Sequence, residues 1–84
     1  MKTSKTIRRW LRILTMLSPG VLISPETVAR DLEVDTRVVR SDFSFLSRLS
    51  EIDVRTSPEG RLGLGPSGYR RLTSLFRRVG EIDW

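Results

Sequence analysis

The sequence contains no cysteine and no histidine. Disulfides, thiolate chemistry, imidazole acid/base work and zinc sites built from soft or imidazole ligands are therefore excluded. Long hydrophobic runs are missing too. The longest stretch without a charged side chain runs from Ile13 to Pro25 and is interrupted by Pro19 and Gly20, well short of the ~20 apolar residues of a membrane span. The basic start (Lys2, Lys5, Arg8, Arg9) leads into neither an apolar signal-peptide core nor a small-residue cleavage site. A cytoplasmic protein without a membrane partner is the expectation. A chain of 84 residues allows one domain, residues 1–84, with a modest core and no space for a two-domain enzyme. The acid pairs Asp31/Glu33 and Glu51/Asp53 have too little chain around them to form a pocket. Hence no catalytic residues, metal site or cofactor are expected.

What the sequence does have is positive charge. Lys and Arg number 15 against 10 Asp and Glu, a formal net charge of +5, which suits an anionic partner. Residues 1–12 carry five positive charges and no acid, and residues 66–80 carry four more, again without an acid. Between them, residues 26–35 hold four acids and one base, and the last four residues hold two acids. There is no internal repeat or low-complexity linker, so Gly and Pro alone punctuate the chain.

From Ser4 to Leu17, Ile7, Trp10, Leu11, Leu14 and Leu17 recur at helical spacing. The breaker pair Pro19-Gly20 ends this amphipathic helix, and Val21-Leu22-Ile23 reads as a short buried strand. Ser24-Pro25-Glu26 combines an N-cap, a proline at the first helical position and an early acid, which together start a helix. Val28, Ala29 and Leu32 give that short helix its inner face, and Asp35 caps the next. The third helix, from Thr36, turns Val39, Phe43, Leu46 and Leu49 inward, with Val38 and Phe45 at the edge. After Ser50 the period changes to two: Ile52, Val54 and Thr56 alternate, Ser57-Pro58-Glu59-Gly60 turns, and Arg61-Leu62-Gly63-Leu64 returns as a hairpin. A last helix spans about 67–79, with Tyr69, Leu72, Leu75, Phe76 and Val79 on one side. The fold class is mainly α with a small β-hairpin. The order of elements is that of a winged helix-turn-helix, with a three-helix core, a two- or three-stranded wing at about 52–64, a helix-turn-helix at about 24–49 and an extra C-terminal helix.

The run from Val28 to Phe43, with Leu46 beyond it, resembles the helix-turn-helix of DeoR-type bacterial regulators. The reading heads of biotin-repressor-like and WYL-domain regulators share the pattern. Ala29, Leu32, Val34, Val39, Arg40, Asp42 and Leu46 fall in register with it, and Gly60-Arg61-Leu62-Gly63-Leu64 matches the glycine and apolar strand of the wing. Three positions depart: Asp35 stands where a Ser cap is usual, Val38 replaces Thr, and Ser41 replaces the second Arg of a pair. The resemblance covers residues 7 to about 64 and implies a DNA-binding regulator. No effector domain follows the wing, so no small-molecule response is expected.

A helix fits the major groove with its N-terminal residues nearest the base edges. Thr36, Arg37, Arg40, Ser41 and Ser44 are thus expected to face DNA, with Arg48 on the same side and Arg37 and Arg40 as the leading base readers. Arg55 and Arg61 on the hairpin reach either the minor groove or the backbone, while Lys5, Arg8 and Arg9 bind phosphates. The first amides of the helix at Ser24 offer another phosphate site, with Glu26 competing for that field. Asp42 reads as structural, paired with Arg30 or Arg71, and Trp10 and Phe43 as core. Tyr69, Leu72, Leu75, Phe76, Val79 and Trp84 exceed what a small core needs and are read as a homodimer face.

The leading function is a dimeric, sequence-specific double-stranded-DNA-binding repressor. An interaction adaptor for a protein partner is the second reading, drawn from the acidic Glu26–Asp35 stretch, Ser41 and the apolar tail. Architectural, excision or partition work for a phage or plasmid is the third.

Overall fold

The protein was analysed as a computed structural model, which describes residues 4–80. Among these residues the order is α1 (Lys5–Thr15), α2 (Pro25–Leu32), α3 (Thr36–Arg48), β1 (Val54–Thr56), β2 (Leu62–Leu64) and α4 (Gly68–Gly80). The described residues are mainly helical, with one small antiparallel sheet. None of these helices is long and apolar enough to cross a membrane.

The first three helices each start at a local cap. The Ser4 hydroxyl accepts a hydrogen bond from the Ile7 amide at 3.1 Å and opens α1. The Ser24 hydroxyl accepts from the Thr27 amide, with Pro25 in the first turn, and opens α2 as expected. Asp35 does the same for α3 through the Arg37 amide at 2.8 Å. Between α2 and α3 lie only Glu33, Val34 and Asp35, and Glu33 takes the left-handed conformation (φ 57°, ψ 46°) that closes α2.

The inward face of α1 is rotated from the expected stripe. Ile13, Leu14 and Leu17 are buried, Trp10 is half-buried against them and Ile7 lies outside, 44% exposed. Spacings of three and four fit both 7-10-11-14 and 10-13-14-17, and partners on α3 select the second. Trp10 packs at the margin of the core rather than within it: its indole N–H donates to Asp42 at 2.8 Å and its ring stacks on Phe45 at 4.4 Å between centroids. Phe43 is core, with Val39 and Leu46 beside it.

β1 and β2 pair antiparallel in the register Val54 with Leu64, Arg55 with Gly63 and Thr56 with Leu62. The strand expected at residues 21–23 shrinks to a single bridge, in which Ile23 exchanges two backbone hydrogen bonds of 2.9 Å with Leu62. Val21 and Leu22 stay exposed, because the turn closed by the Val21 amide on the Ser18 carbonyl and the Ser24 cap leave only Ile23 free to pair.

Asp53 ties the hairpin to α4. Its carboxylate accepts from the Ser67 amide (2.9 Å), the Ser67 hydroxyl (3.0 Å) and Arg55 Nε (3.2 Å), while its carbonyl accepts from the Gly65 amide. Gly68 passes so close that a Cβ there would sit 2.5 Å from the Asp53 carbonyl oxygen. Gly68→Ala is expected to cost about 1–3 kcal/mol, since backbone must move. At Gly63 a Cβ would instead press on Leu22 Cδ2 at 2.5 Å, the end of a flexible and half-exposed side chain, with the Val21 carbonyl oxygen at an ordinary 3.4 Å, so Gly63→Ala should cost clearly less than Gly68→Ala. Urea unfolding of the two variants checks the contrast; equal costs would contradict it.

Acid sensitivity follows from the same turns. The Asp53 carboxyl is held below its ordinary value of 3.8 mainly by the Ser67 amide, and Asp35 mainly by the Arg37 amide. Glu59 is held below 4.5, mainly by its own backbone N–H. Depressed folded values stabilise the chain fully above the unfolded values and lose that effect as pH falls through the folded ones. With no histidine to titrate near neutrality, the melting temperature should be flat between about pH 5 and pH 7 and fall below about pH 4. A melting temperature that holds or rises on that acidification would contradict the assignment.

Candidate nucleic-acid interface

The solvent face of α3 carries Arg37, Arg40, Ser41 and Arg48 exposed and Thr36 and Ser44 half-buried. The apolar residues Val38 and Phe45 flank it, 36% and 42% exposed. Asp42, the lone acid of α3, is buried at 4% exposure. Its two carboxylate oxygens accept from Arg9 Nε at 2.5 Å and Nη2 at 3.0 Å, and Trp10 adds a third donor. The partners expected from sequence, Arg30 and Arg71, are not the ones used, because α1 rather than α2 or α4 lies against this side of α3. Burial and pairing of Asp42 leave an α3 face without exposed negative charge.

Arg9 is consequently not a free phosphate ligand. Its side chain is 21% exposed, and the hydrogen bond to Asp42 raises its pKa further. Lys5 and Arg8 remain exposed and, with Arg12, line a groove against Leu32 and Val34 at the α2–α3 turn. The basic face of α1 therefore flanks the start of α3.

The two arginines expected to read bases each hold an acid loosely. Arg37 Nε lies 3.4 Å from its own cap Asp35, with the Arg37 side chain 90% exposed. Arg40 Nη2 lies 3.0 Å from Glu26 on α2, both side chains more than half exposed. Surface pairs of this kind contribute about 0–1 kcal/mol and yield readily to a stronger anion. Glu26 thus competes for Arg40 itself, a link that sequence spacing did not reveal.

The two hairpin arginines line different grooves. Arg55 lines a groove with Arg48 and Arg71 at the C-terminal end of α3, whereas Arg61 lines a different one with Ser24, Thr27 and Asp31 of α2. A third groove joins Arg40 and Ser44 to Ser47, Thr56 and Gly60 between α3 and the hairpin turn. Ser47, Thr56 and Arg71 were missed as groove residues. Ser47 sits one turn past Ser44, a signal within reach of periodicity, but Arg71 depends on how α4 docks.

The residues read as a dimer face also separate. Leu72 is in the core at 6% exposure, and Leu75 and Phe76 pack partly against it. Burial removes Leu72 from any partner contact. Tyr69 is 65% exposed, and Phe76 and Val79 line an apolar groove with Leu11 of α1. Trp84 lies outside the described residues. Comparison of the chain with protein-family models, curated proteins and solved structures finds no match in any of the three.

Proposed function

We propose that this chain is a sequence-specific double-stranded-DNA-binding protein of winged helix-turn-helix type, in which α3 enters the major groove and the hairpin acts as the wing. One observation carries the reading: the exposed face of α3 offers arginines and hydroxyls, edged by Val38 and Phe45, and no carboxylate of its own, because its lone acid is buried under Arg9. An α-helix fits the major groove, and arginine forks match the guanine O6/N7 edge. Thr36, Arg37, Arg40, Ser41 and Ser44 are the base-facing set; Lys5, Arg8, Arg48, Arg55 and Arg61 supply phosphate contacts, which position without specifying. Two copies meeting over the Leu11–Phe76–Val79 groove would set two α3 helices on half-sites about 34–36 Å apart. At a promoter such a dimer occludes, so repression is the role we assign. No catalytic part belongs to this reading.

Selection of bound duplexes from a random library at moderate salt tests it. Enrichment of an inverted repeat, bound more tightly than its shuffled version, is expected. Absence of enrichment with weak, steeply salt-dependent binding would replace specific regulation with architectural binding. No binding at all would move the protein-adaptor reading, which the apolar α1–α4 groove favours, to the front.

A further inference from the structure

Three arginines distant in sequence share one polar groove at the far end of α3. Arg48 comes from the last turn of α3, Arg55 from β1 and Arg71 from the first turns of α4. The hydroxyl residues Ser47 and Ser67 line the same groove. Arg71 Nη1 donates to the Ser50 carbonyl at 2.7 Å, which fixes the guanidinium at the groove wall. Arg55 Nε is held by Asp53 at 3.2 Å. Arg48 makes no hydrogen bond or ion pair among the described residues and is exposed.

The charge in this groove is unbalanced. Asp53 is its acid, and that carboxylate is already occupied by the Ser67 amide and hydroxyl and by Arg55. A guanidinium has five N–H donors, so the one bond each made by Arg55 and Arg71 leaves most of their donors open. The carbonyl end of α3 would by itself repel an anion. Arg71 on the Ser50 carbonyl and Arg48 in the last turn offset it. Planar guanidinium forks around an open groove match the two non-bridging oxygens of a phosphodiester; the Ser47 and Ser67 hydroxyls already donate to the Ser44 carbonyl and to Asp53 and only form the walls.

The groove adjoins the face that would read bases. Ser47 lines both this groove and the neighbouring one that holds Arg40 and Ser44. A backbone strand leaving the α3 face therefore runs toward Arg48 and Arg71.

We propose that Arg48, Arg55 and Arg71 form a clamp for a backbone phosphate of DNA, with Arg71 extending the footprint onto α4. This rests on the DNA-binding reading above and adds a contact that α4 would otherwise not make. The clamp positions the duplex and carries no sequence information.

Arg71→Gln tests it, read on the selected duplex and on shuffled sequence. Affinity should fall about three- to tenfold on both, with the salt slope reduced by about one unit and the ranking of sequences unchanged. Arg71→Lys, which keeps the charge, should recover most of the loss. Single methylphosphonate substitutions along the duplex should locate one phosphate whose neutralisation weakens the wild type but not Arg71→Gln. Because Arg71 also touches Ser50, circular dichroism checks that the variant is folded. Should it not be, Arg48→Gln, which breaks no hydrogen bond seen here, reports instead with the same expected signature. Unchanged affinity and slope in a folded variant would overturn the clamp while leaving specific binding by α3 in place. Failure of the wild type to bind any duplex would overturn both. Inorganic phosphate should compete no better than chloride of equal ionic strength; tight binding of phosphate alone, with DNA affinity indifferent to Arg71, would reassign the groove to a small anion.

Discussion

Asp42→Ala is expected to destabilise the protein by about 2–3 kcal/mol and to lower its melting temperature by about 10–20 °C. The carboxylate accepts from Arg9 twice and from Trp10 once, so truncation strands three donors between α1 and α3. A fully buried pair broken this way costs roughly 3–5 kcal/mol. Here the Arg9 side chain is 21% exposed, and part of its charge can return to water, which sets the lower figure. The Trp10 indole has less recourse, because it is stacked on Phe45 and its N–H points at the missing oxygen. Asp42→Asn keeps the shape and one acceptor and should cost about half as much. The double variant Arg9→Met/Asp42→Leu should lose less than the sum of the single replacements, since apolar side chains can take the place of a buried pair. Urea unfolding of the wild type, Asp42→Ala, Asp42→Asn, the two single replacements and the double variant decides the matter. Additive losses below about 1 kcal/mol would show that the pair behaves as an ordinary surface contact.

This lock also bears on the α3 face. With Asp42 turned inward, the outer side of α3 keeps only arginines, hydroxyls and the apolar edge of Val38 and Phe45. Stability and surface charge are thus set by one side chain. Phe45 shows the same coupling, exposed on one side and stacked on Trp10 on the other.

The helices, caps and hairpin were legible in the sequence because their causes are local. Ser24 with Pro25, and Asp35 before Thr36, act on amides two or three residues away, and the alternation around Val54 and Leu62 needs only a neighbouring strand. What escaped were choices between equivalent local solutions. The α1 periodicity admitted two faces, and only contact with α3 selects Ile13 over Ile7. Asp42 had several arginines within plausible reach, and the docking of α1 rather than α4 chose Arg9. Arg71, read from sequence as one of two partners for Asp42, instead donates to the Ser50 carbonyl and shares a groove with Arg48 and Arg55. Leu72 and Phe76 share one helical face, yet the depth at which α4 docks buries the first and leaves the second half-exposed.

The site assignment stands or falls on Arg40. Arg40→Ala should lower affinity for the selected duplex by about 1–3 kcal/mol, roughly 5- to 150-fold, and relax the preference at one base position. Its side chain is 65% exposed and carries a single loose tie, to Glu26 on the neighbouring helix. Little folding stability should therefore be lost, which separates a binding defect from an unfolding one. Glu26→Gln provides the opposite arm. It frees the guanidinium from its competitor and removes a negative charge from the edge of the interface, so affinity should rise several-fold with the base preference intact. In an Arg40→Ala background that gain should shrink to the share owed to charge alone. Retention of wild-type affinity and base preference by Arg40→Ala would remove the residue on which the α3 reading chiefly depends. A gain from Glu26→Gln of equal size with and without Arg40 would instead show that Glu26 acts on the duplex directly, through the field it adds beside the first turns of α3.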